Sequence, residues 1–287
     1  MKKLFDKKKI FIIAEAGVGH FGSLSLGKKL IDAAKYSGAD AVKFQAYITE
    51  DLVDKRFREW FKRYKKKEVN LNFLTKLNTY AKKKKITFLC TPHTESVIPW
   101  ISKLRIPIIK VASGEVGNFQ FLEKLIPLKK HLIISTGLHQ KKDLIALRNF
   151  FKKKNFSNYS ILFCSTIYPT NYENLNLHAL KEYKKIFPKK TIGYSDHTSS
   201  DLACLASILY GAKIIEKHIT LDSNMPGPDH KASMEPKDFQ DMVSAIRNIE
   251  RGLGNGIKAP TSEELEMRTI ARKSLVANKK IEKGEIF

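Results

Sequence analysis

Short, uninterrupted apolar runs alternate along this chain with longer segments of helical spacing. The first run covers 10–16, and the segment after it, 26–37, repeats apolar residues at Leu26, Leu30, Ile31 and Ala34 before closing at Gly38. A run that is apolar throughout predicts a strand buried on both faces of a parallel sheet, and the three-to-four-residue spacing predicts the helix that covers it. The alternation recurs. Further runs lie at 41–46, 87–91, 108–112, 132–135, 159–164, 191–195 and 214–218, with helical segments at 72–84, 96–104, 119–128, 141–153, 176–187, 200–210 and 236–251. A charged insertion, 47–70, interrupts the order after the second run. Eight β-α units fit an α/β fold of the TIM (β/α)8 barrel type better than an open doubly wound sheet.

A barrel of this kind carries its site at the C-terminal ends of the strands, and polar residues gather there in every run. Glu15 ends the first, Lys43 and Gln45 the second, Thr91 the third, Lys110 and Ser113 the fourth and Ser135 the fifth. Ser165, Thr166 and Tyr168 follow the sixth, Ser195, Asp196 and His197 the seventh, and Glu216 and His218 the eighth. A lysine inside an apolar strand is costly unless it is paired or faces an anion. An internal ion pair such as Lys43 with Glu15 is one reading; two such lysines on one rim favour an anionic ligand. His197 and His218 are 21 residues apart, each just past an apolar run, with a helical segment between them. In a β-α-β unit both would emerge on one rim. Two neutral imidazoles without a cysteine partner suit an open, water-bearing metal site; hydrogen bonding to substrate without metal is the alternative. His20, His93 and His230 fall on rim loops within reach of a ligand, whereas His131, His139 and His178 read as structural.

Composition narrows the class. At 287 residues the chain accommodates one barrel, which runs to about 250 residues, plus a remnant. The hydrophobic fraction is 43%, and no run approaches the roughly 18 apolar residues of a membrane helix. Lys2, Lys3, Lys7, Lys8 and Lys9 before the first run imitate a secretory leader, but the run breaks at Glu15 without a small-residue cleavage pattern, so a cytoplasmic protein is expected. Cys90, Cys164 and Cys204 form no redox or zinc spacing, as expected of buried thiols in a reducing compartment. The net charge of +23 comes from lysine clusters near the ends of helical segments, without a nucleic-acid-binding motif; it implies a solvated surface and a field that attracts anionic metabolites. Neither nucleic acid nor membrane is an expected partner. The run Gly17-Val18-Gly19-His20-Phe21-Gly22 matches a dinucleotide fingerprint, but Lys43 and Gln45 stand where the ribose-binding acid belongs, so it reads as a tight loop.

The run 14–23 together with Val42-Lys43-Phe44-Gln45, Lys110-Val111-Ala112-Ser113-Gly114-Glu115, Ser135-Thr136-Gly137, Tyr168-Pro169-Thr170, 193–198, Glu216-Lys217-His218 and Pro226-Gly227-Pro228-Asp229-His230 resembles the sialic acid synthase family over nearly the whole chain. The resemblance implies a TIM-barrel enzyme that condenses phosphoenolpyruvate with an N-acetylated aminosugar such as N-acetylmannosamine, forming a nine-carbon 2-keto acid and releasing phosphate. The legionaminic and pseudaminic acid synthases share these motifs. By the same resemblance, His197 and His218 bind a divalent cation, typically manganese, with magnesium or cobalt as alternatives, and Glu15 is the general acid/base. Lys43 and Lys110, helped by the hydroxyls of Thr91, Ser113, Ser135 and Ser195, would face phosphoenolpyruvate, Thr166 is a further substrate-binding position, and Gln45, Glu115, Tyr168 and Asp229 are the expected sugar contacts. The barrel is expected over 1–255 and a linker over 256–270. The stretch 271–287 resembles the opening of an antifreeze-like (SAF) domain whose remainder is absent, and a homodimer is the expected assembly.

Overall fold

The computed structural model describes residues 9–225 and 227–286. Eight parallel strands close on themselves in chain order: β1 (Phe11–Gly17), β2 (Ala41–Ala46), β3 (Thr87–Pro92), β4 (Ile108–Val111), β5 (His131–Ser135), β6 (Tyr159–Cys164), β7 (Ile192–Asp196) and β8 (Ile214–His218). The barrel expected from the apolar runs is therefore present, each strand within a residue of its predicted ends. The covering helices are α1 (Leu24–Tyr36), α4 (Leu71–Lys83), α5 (Ile98–Leu104), α6 (Phe119–Leu125), α7 (Lys141–Lys153), α8 (Leu180–Ile186), α9 (Leu202–Leu209) and α11 (Pro236–Gly252). Ser23 and Asn70 cap α1 and α4 by accepting from the amides of Leu26 and Phe73. The sixth helix is shorter than its pattern because Pro127 has no amide to donate, and Ile126–Leu128 is a 3₁₀ turn.

Strand pleating sorts the side chains. Ile13, Ala41, Leu89, Ile108, Ile133, Leu162 and Ile214 fill the barrel floor, while the residues between them face the helices in a larger shell. Gly193 occupies an interior position with no room to spare. A Cβ there would lie 2.4 Å from the Ile214 carbonyl oxygen and 2.5 Å from Leu162 Cδ2. One step further along each strand the interior becomes polar, since Glu15 pairs in register with both Lys43 and His218, and Ser195 with Glu216.

The charged insertion is ordered. It carries α2 (Thr49–Leu52) and α3 (Arg58–Lys65), tied back by Tyr47, whose hydroxyl donates to the Tyr64 carbonyl at 3.0 Å, and by Glu68, which accepts from the Thr49 amide at 2.8 Å. After β8 a short helix, α10 (Pro228–Lys231), brings Asp229 to the rim; Pro226 of the motif quoted above lies outside the described residues. The chain divides into two units, Met1–Glu250 and Arg251–Phe287. The second contains α12 (Ser262–Ala271), a helix in the stretch expected as linker, started by a capping box in which Thr261 and Glu264 satisfy each other's amides. Among the described residues no helix is long and apolar enough to cross a membrane.

Candidate active site

The polar layer surrounds a cavity of about 160 Å³ at the C-terminal mouth of the barrel. Its base is a ring of two lysines and two glutamates. Lys43 Nζ lies 3.0 Å from Glu15 Oε2 and 3.6 Å from Glu216 Oε2, and Lys110 Nζ lies 3.7 Å from Glu216 Oε1. The lysines are further held by hydroxyls. Lys43 donates to Thr91 Oγ1 at 3.1 Å, and Lys110 to Ser135 Oγ at 2.6 Å and to its neighbour's carbonyl at Val111. Ser195 Oγ donates to Glu216 Oε1 at 2.9 Å, and Gln45 Nε2 to Glu15 Oε1 at 2.9 Å. The ion pairs keep the ammoniums in place, and the hydroxyls of Thr91, Ser113, Ser135 and Ser195 line the same cavity.

The two glutamates are not equivalent. Burial would raise both, but Lys110 and Lys43, with the Ser195 hydroxyl, hold Glu216 down to about 2, a permanent anion. Glu15 goes the other way. Burial pushes its carboxyl above the ordinary range against the pull of Lys43, with the Glu216 charge adding to the rise. A carboxylate held as the anion beside one whose proton affinity is raised is an arrangement that acid/base chemistry uses. Burial lowers Lys110, with Glu216 opposing, whereas for Lys43 the effect of burial is overcome by Glu15 and Glu216 and its pKa rises.

Above this ring stand His197 and His218, ring centroids 5.3 Å apart. Burial brings both imidazoles down to about 4, so both are neutral. His197 Nδ1 is engaged with the Ser165 carbonyl, which fixes the proton on Nδ1 and leaves Nε2 as a lone-pair donor. No hydrogen bond reaches the ring nitrogens of His218 among the described residues. Tyr168 lies against His197 at 4.0 Å between centroids. No group of three or more His, Cys, Asp or Glu side chains is arranged as a metal cluster among the described residues. The pair nevertheless fits a divalent cation bound by two neutral nitrogens, with its other positions left for water and substrate. Directly behind the histidines, on the helix-facing side of the same strands, the fully buried Lys217 and Asp196 pair at 2.6 Å. Asp196 also accepts from the Tyr194 hydroxyl at 2.7 Å and from the Thr198 hydroxyl at 2.9 Å.

Comparison with known proteins decides the family. The NeuB family model matches residues 30–258. An N,N'-diacetyllegionaminic acid synthase of Campylobacter jejuni is 40% identical over 298 residues, spanning 98% of this chain and 88% of that protein. A pseudaminic acid synthase of the same species is 33% identical over 293 residues, spanning 98% and 85%. The crystal structure of an N-acetylneuraminic acid (sialic acid) synthetase from Leptospira borgpetersenii, in complex with citrate, superimposes with a TM-score of 0.83 at 33% identity, covering 93% of each chain. This chain belongs to the NeuB family. It is an enzyme, a synthase like its relatives, built on their barrel.

Twelve of the fourteen residues singled out in this NeuB family chain line the one cavity: Glu15, Lys43, Gln45, Thr91, Lys110, Ser113, Ser135, Thr166, Tyr168, Ser195, His197 and His218. Two do not. Glu115 sits in a 3₁₀ turn outside the cavity, accepting from Asn118 Nδ2 at 2.7 Å. Asp229 lines a smaller adjoining pocket that shares Gln45 with the cavity. The cavity is also lined by His93, expected on a rim loop within reach of a ligand, by Glu216, expected at the rim but given no role, and by Cys164, expected only as a buried thiol. The signal for the first two was the two-residue strand period, which puts Glu216 on the face of His218 and His93 on the face of Thr91. His20 and His230 stay out: His20 is buried beside Phe73 and Phe44, and His230 stacks on Phe21 and engages Thr220.

Proposed function

We propose that this chain condenses phosphoenolpyruvate with an N-acetylated aminosugar, N-acetylmannosamine in the first instance, and water, giving a nine-carbon 2-keto sugar acid and phosphate. The observation that carries the reading is the ring of Lys43, Lys110, Glu15 and Glu216 under two neutral histidines, inside a NeuB family barrel. Phosphoenolpyruvate carries a phosphate and a carboxylate, and the two lysines with the hydroxyls of Thr91, Ser113, Ser135 and Ser195 supply charge-assisted donors for both. The enol methylene carbon bonds to the aldehyde carbon of the sugar. Glu15, whose proton affinity is raised by burial, serves as the acid toward the aldehyde oxygen and then as the base that takes a proton from the water adding at the enol carbon, and the C–O bond to phosphate breaks. A divalent cation held by His197 and His218, manganese first and magnesium or cobalt next, supplies a Lewis acid toward the aldehyde oxygen when bound. Gln45, Tyr168 and Asp229 orient the sugar, with Glu115 a candidate only if its turn moves.

The 40% identity to a legionaminic acid synthase supports a second reading, in which the sugar is a diacetamido one; a pseudaminic-type precursor is the third. On the sequence resemblance, 271–287 opens an antifreeze-like domain and the protein is a cytoplasmic homodimer; light scattering that returned a single 32.8 kDa species would contradict the dimer. Binding of phosphoenolpyruvate tests the anion seat itself. Lys110→Met should weaken it at least ~10-fold in calorimetry, the loss of a charged hydrogen bond, and wild-type affinity in that variant would remove the seat from this cavity.

A further inference from the structure

Past Gln45 and Asp229 the adjoining pocket opens into a broad cleft of about 930 Å³. Five cations line that cleft, Lys62, Arg63, Lys66, Lys67 and Lys231, against one carboxylate, Glu59. Two of the five border both the pocket and the cleft: Arg63 on α3 and Lys67 just after it. Lys67 is only 8% exposed, yet among the described residues neither it nor Arg63 has a carboxylate partner. What they touch is aromatic. Lys67 Nζ lies 4.9 Å from the Phe21 ring centre, and the Arg63 guanidinium 5.6 Å from that of Trp60.

The two cations converge. The point where a side chain would begin at Gly227 is 3.4 Å from Arg63 Nη2 and 3.9 Å from Lys67 Nζ, and no side chain fills it because residue 227 is glycine at φ +135°. Burial depresses the Lys67 pKa, and the Arg63 charge adds to the depression while Asp229 opposes it. An anion seated between the two cations, beside the Gly227 backbone, would relieve both costs. A phosphoryl group suits it better than a carboxylate, since it brings up to two charges and three oxygens to one planar fork and one ammonium that do not lie side by side on a single strand.

We propose that Arg63 and Lys67 form a second oxyanion seat, separate from Lys43 and Lys110, which holds a phosphoryl group at the outer end of the site. The seat rests on the function proposed above for its source of ligand, which is either a phosphate ester on the far end of the aminosugar or the inorganic phosphate leaving the inner cavity.

The test is calorimetric titration of inorganic phosphate into the full chain saturated with phosphoenolpyruvate, for wild type, Arg63→Gln and Lys67→Met. Arg63 is partly exposed, so its variant folds even if the change at buried Lys67 does not. The seat predicts one phosphate site in the wild type, weakened at least ~10-fold in each folded variant, as expected for losing a hydrogen bond to a charged group. Steady-state kinetics with 6-phosphorylated and unphosphorylated N-acetylmannosamine then identify the source. A KM increase confined to the phosphorylated sugar assigns the seat to the ester. Equal response to both sugars, with weaker inhibition by added phosphate, assigns it to the leaving anion. Phosphate affinity that is the same in wild type and Arg63→Gln, or no binding to the saturated wild type, overturns the seat. A failure to bind phosphoenolpyruvate at all counts instead against the proposed function.

Discussion

Lys217 and Asp196 mark the most exacting requirement at the scale of single residues. Both are wholly buried next to the two histidines, and neither faces the cavity. Removing one partner strands the other's charge among apolar side chains, which costs roughly 3–5 kcal/mol. Lys217→Met should therefore lower the unfolding free energy from urea titration by an amount of that order, and adding Asp196→Asn should recover part of it; an unfolding free energy within error of wild type for the single variant would show that the pair carries no such weight. His197→Ala and His218→Ala test the other face of the same strands. Each should abolish manganese-dependent phosphate release and weaken manganese binding measured by electron paramagnetic resonance, and full activity in either variant would end the metal assignment. Residues of this kind were legible where chemistry and strand period agreed, as at Glu15, Lys43 and His218. Glu216 obeyed the same period, but a reading fixed on the flanking histidine left it unassigned. Glu115 is the converse case, since its motif runs straight on from β4 while the 3₁₀ turn that holds it leaves it out of the cavity lining.

Strands were the most readable elements because burial on both faces leaves an apolar run with little else to imitate it. Gly193 shows the limit. Nothing in Thr191-Ile192-Gly193-Tyr194 announces that its glycine is held by the Ile214 carbonyl and Leu162 rather than by a turn. Gly193→Ala should cost ~1–3 kcal/mol by overpacking, read as a lower thermal midpoint with the far-UV spectrum retained; an unchanged midpoint would mean that β7 shifts freely. The insertion after β2 was harder to read. Helix α3 buries none of its eight residues fully, so it has no apolar stripe to find, and its meaning lies in which cations it carries to the rim. Helix α12 was missed for a similar reason, although Thr261 and Glu264 spell out its start.

At the scale of the whole molecule, charge and acid sensitivity separate. The excess of lysine is spread over the surface, whereas the groups that tie stability to pH are few and buried. Burial brings His20 down to about 4 and His93 to about 3, against an ordinary value of 6.5. The folded state therefore binds fewer protons than the unfolded chain below pH 6.5, and stability present above that pH is lost as the pH falls toward 4, by up to ~1.4 kcal/mol per pH unit for each histidine. Denaturation midpoints should fall between pH 7 and pH 5, and His20→Gln should flatten the dependence; a midpoint independent of pH over that range would contradict it.

The central claim is that the lysine and glutamate ring beneath the histidines handles phosphoenolpyruvate together with an aminosugar. Phosphate release from phosphoenolpyruvate, followed with manganese while N-acetylmannosamine and the two diacetamido sugars are offered in parallel, tests it most directly. The account predicts release that requires both the cation and one of these sugars, with a nine-carbon 2-keto acid formed in equal amount. Phosphate release that is indifferent to the sugar, or absent with all three, would contradict it.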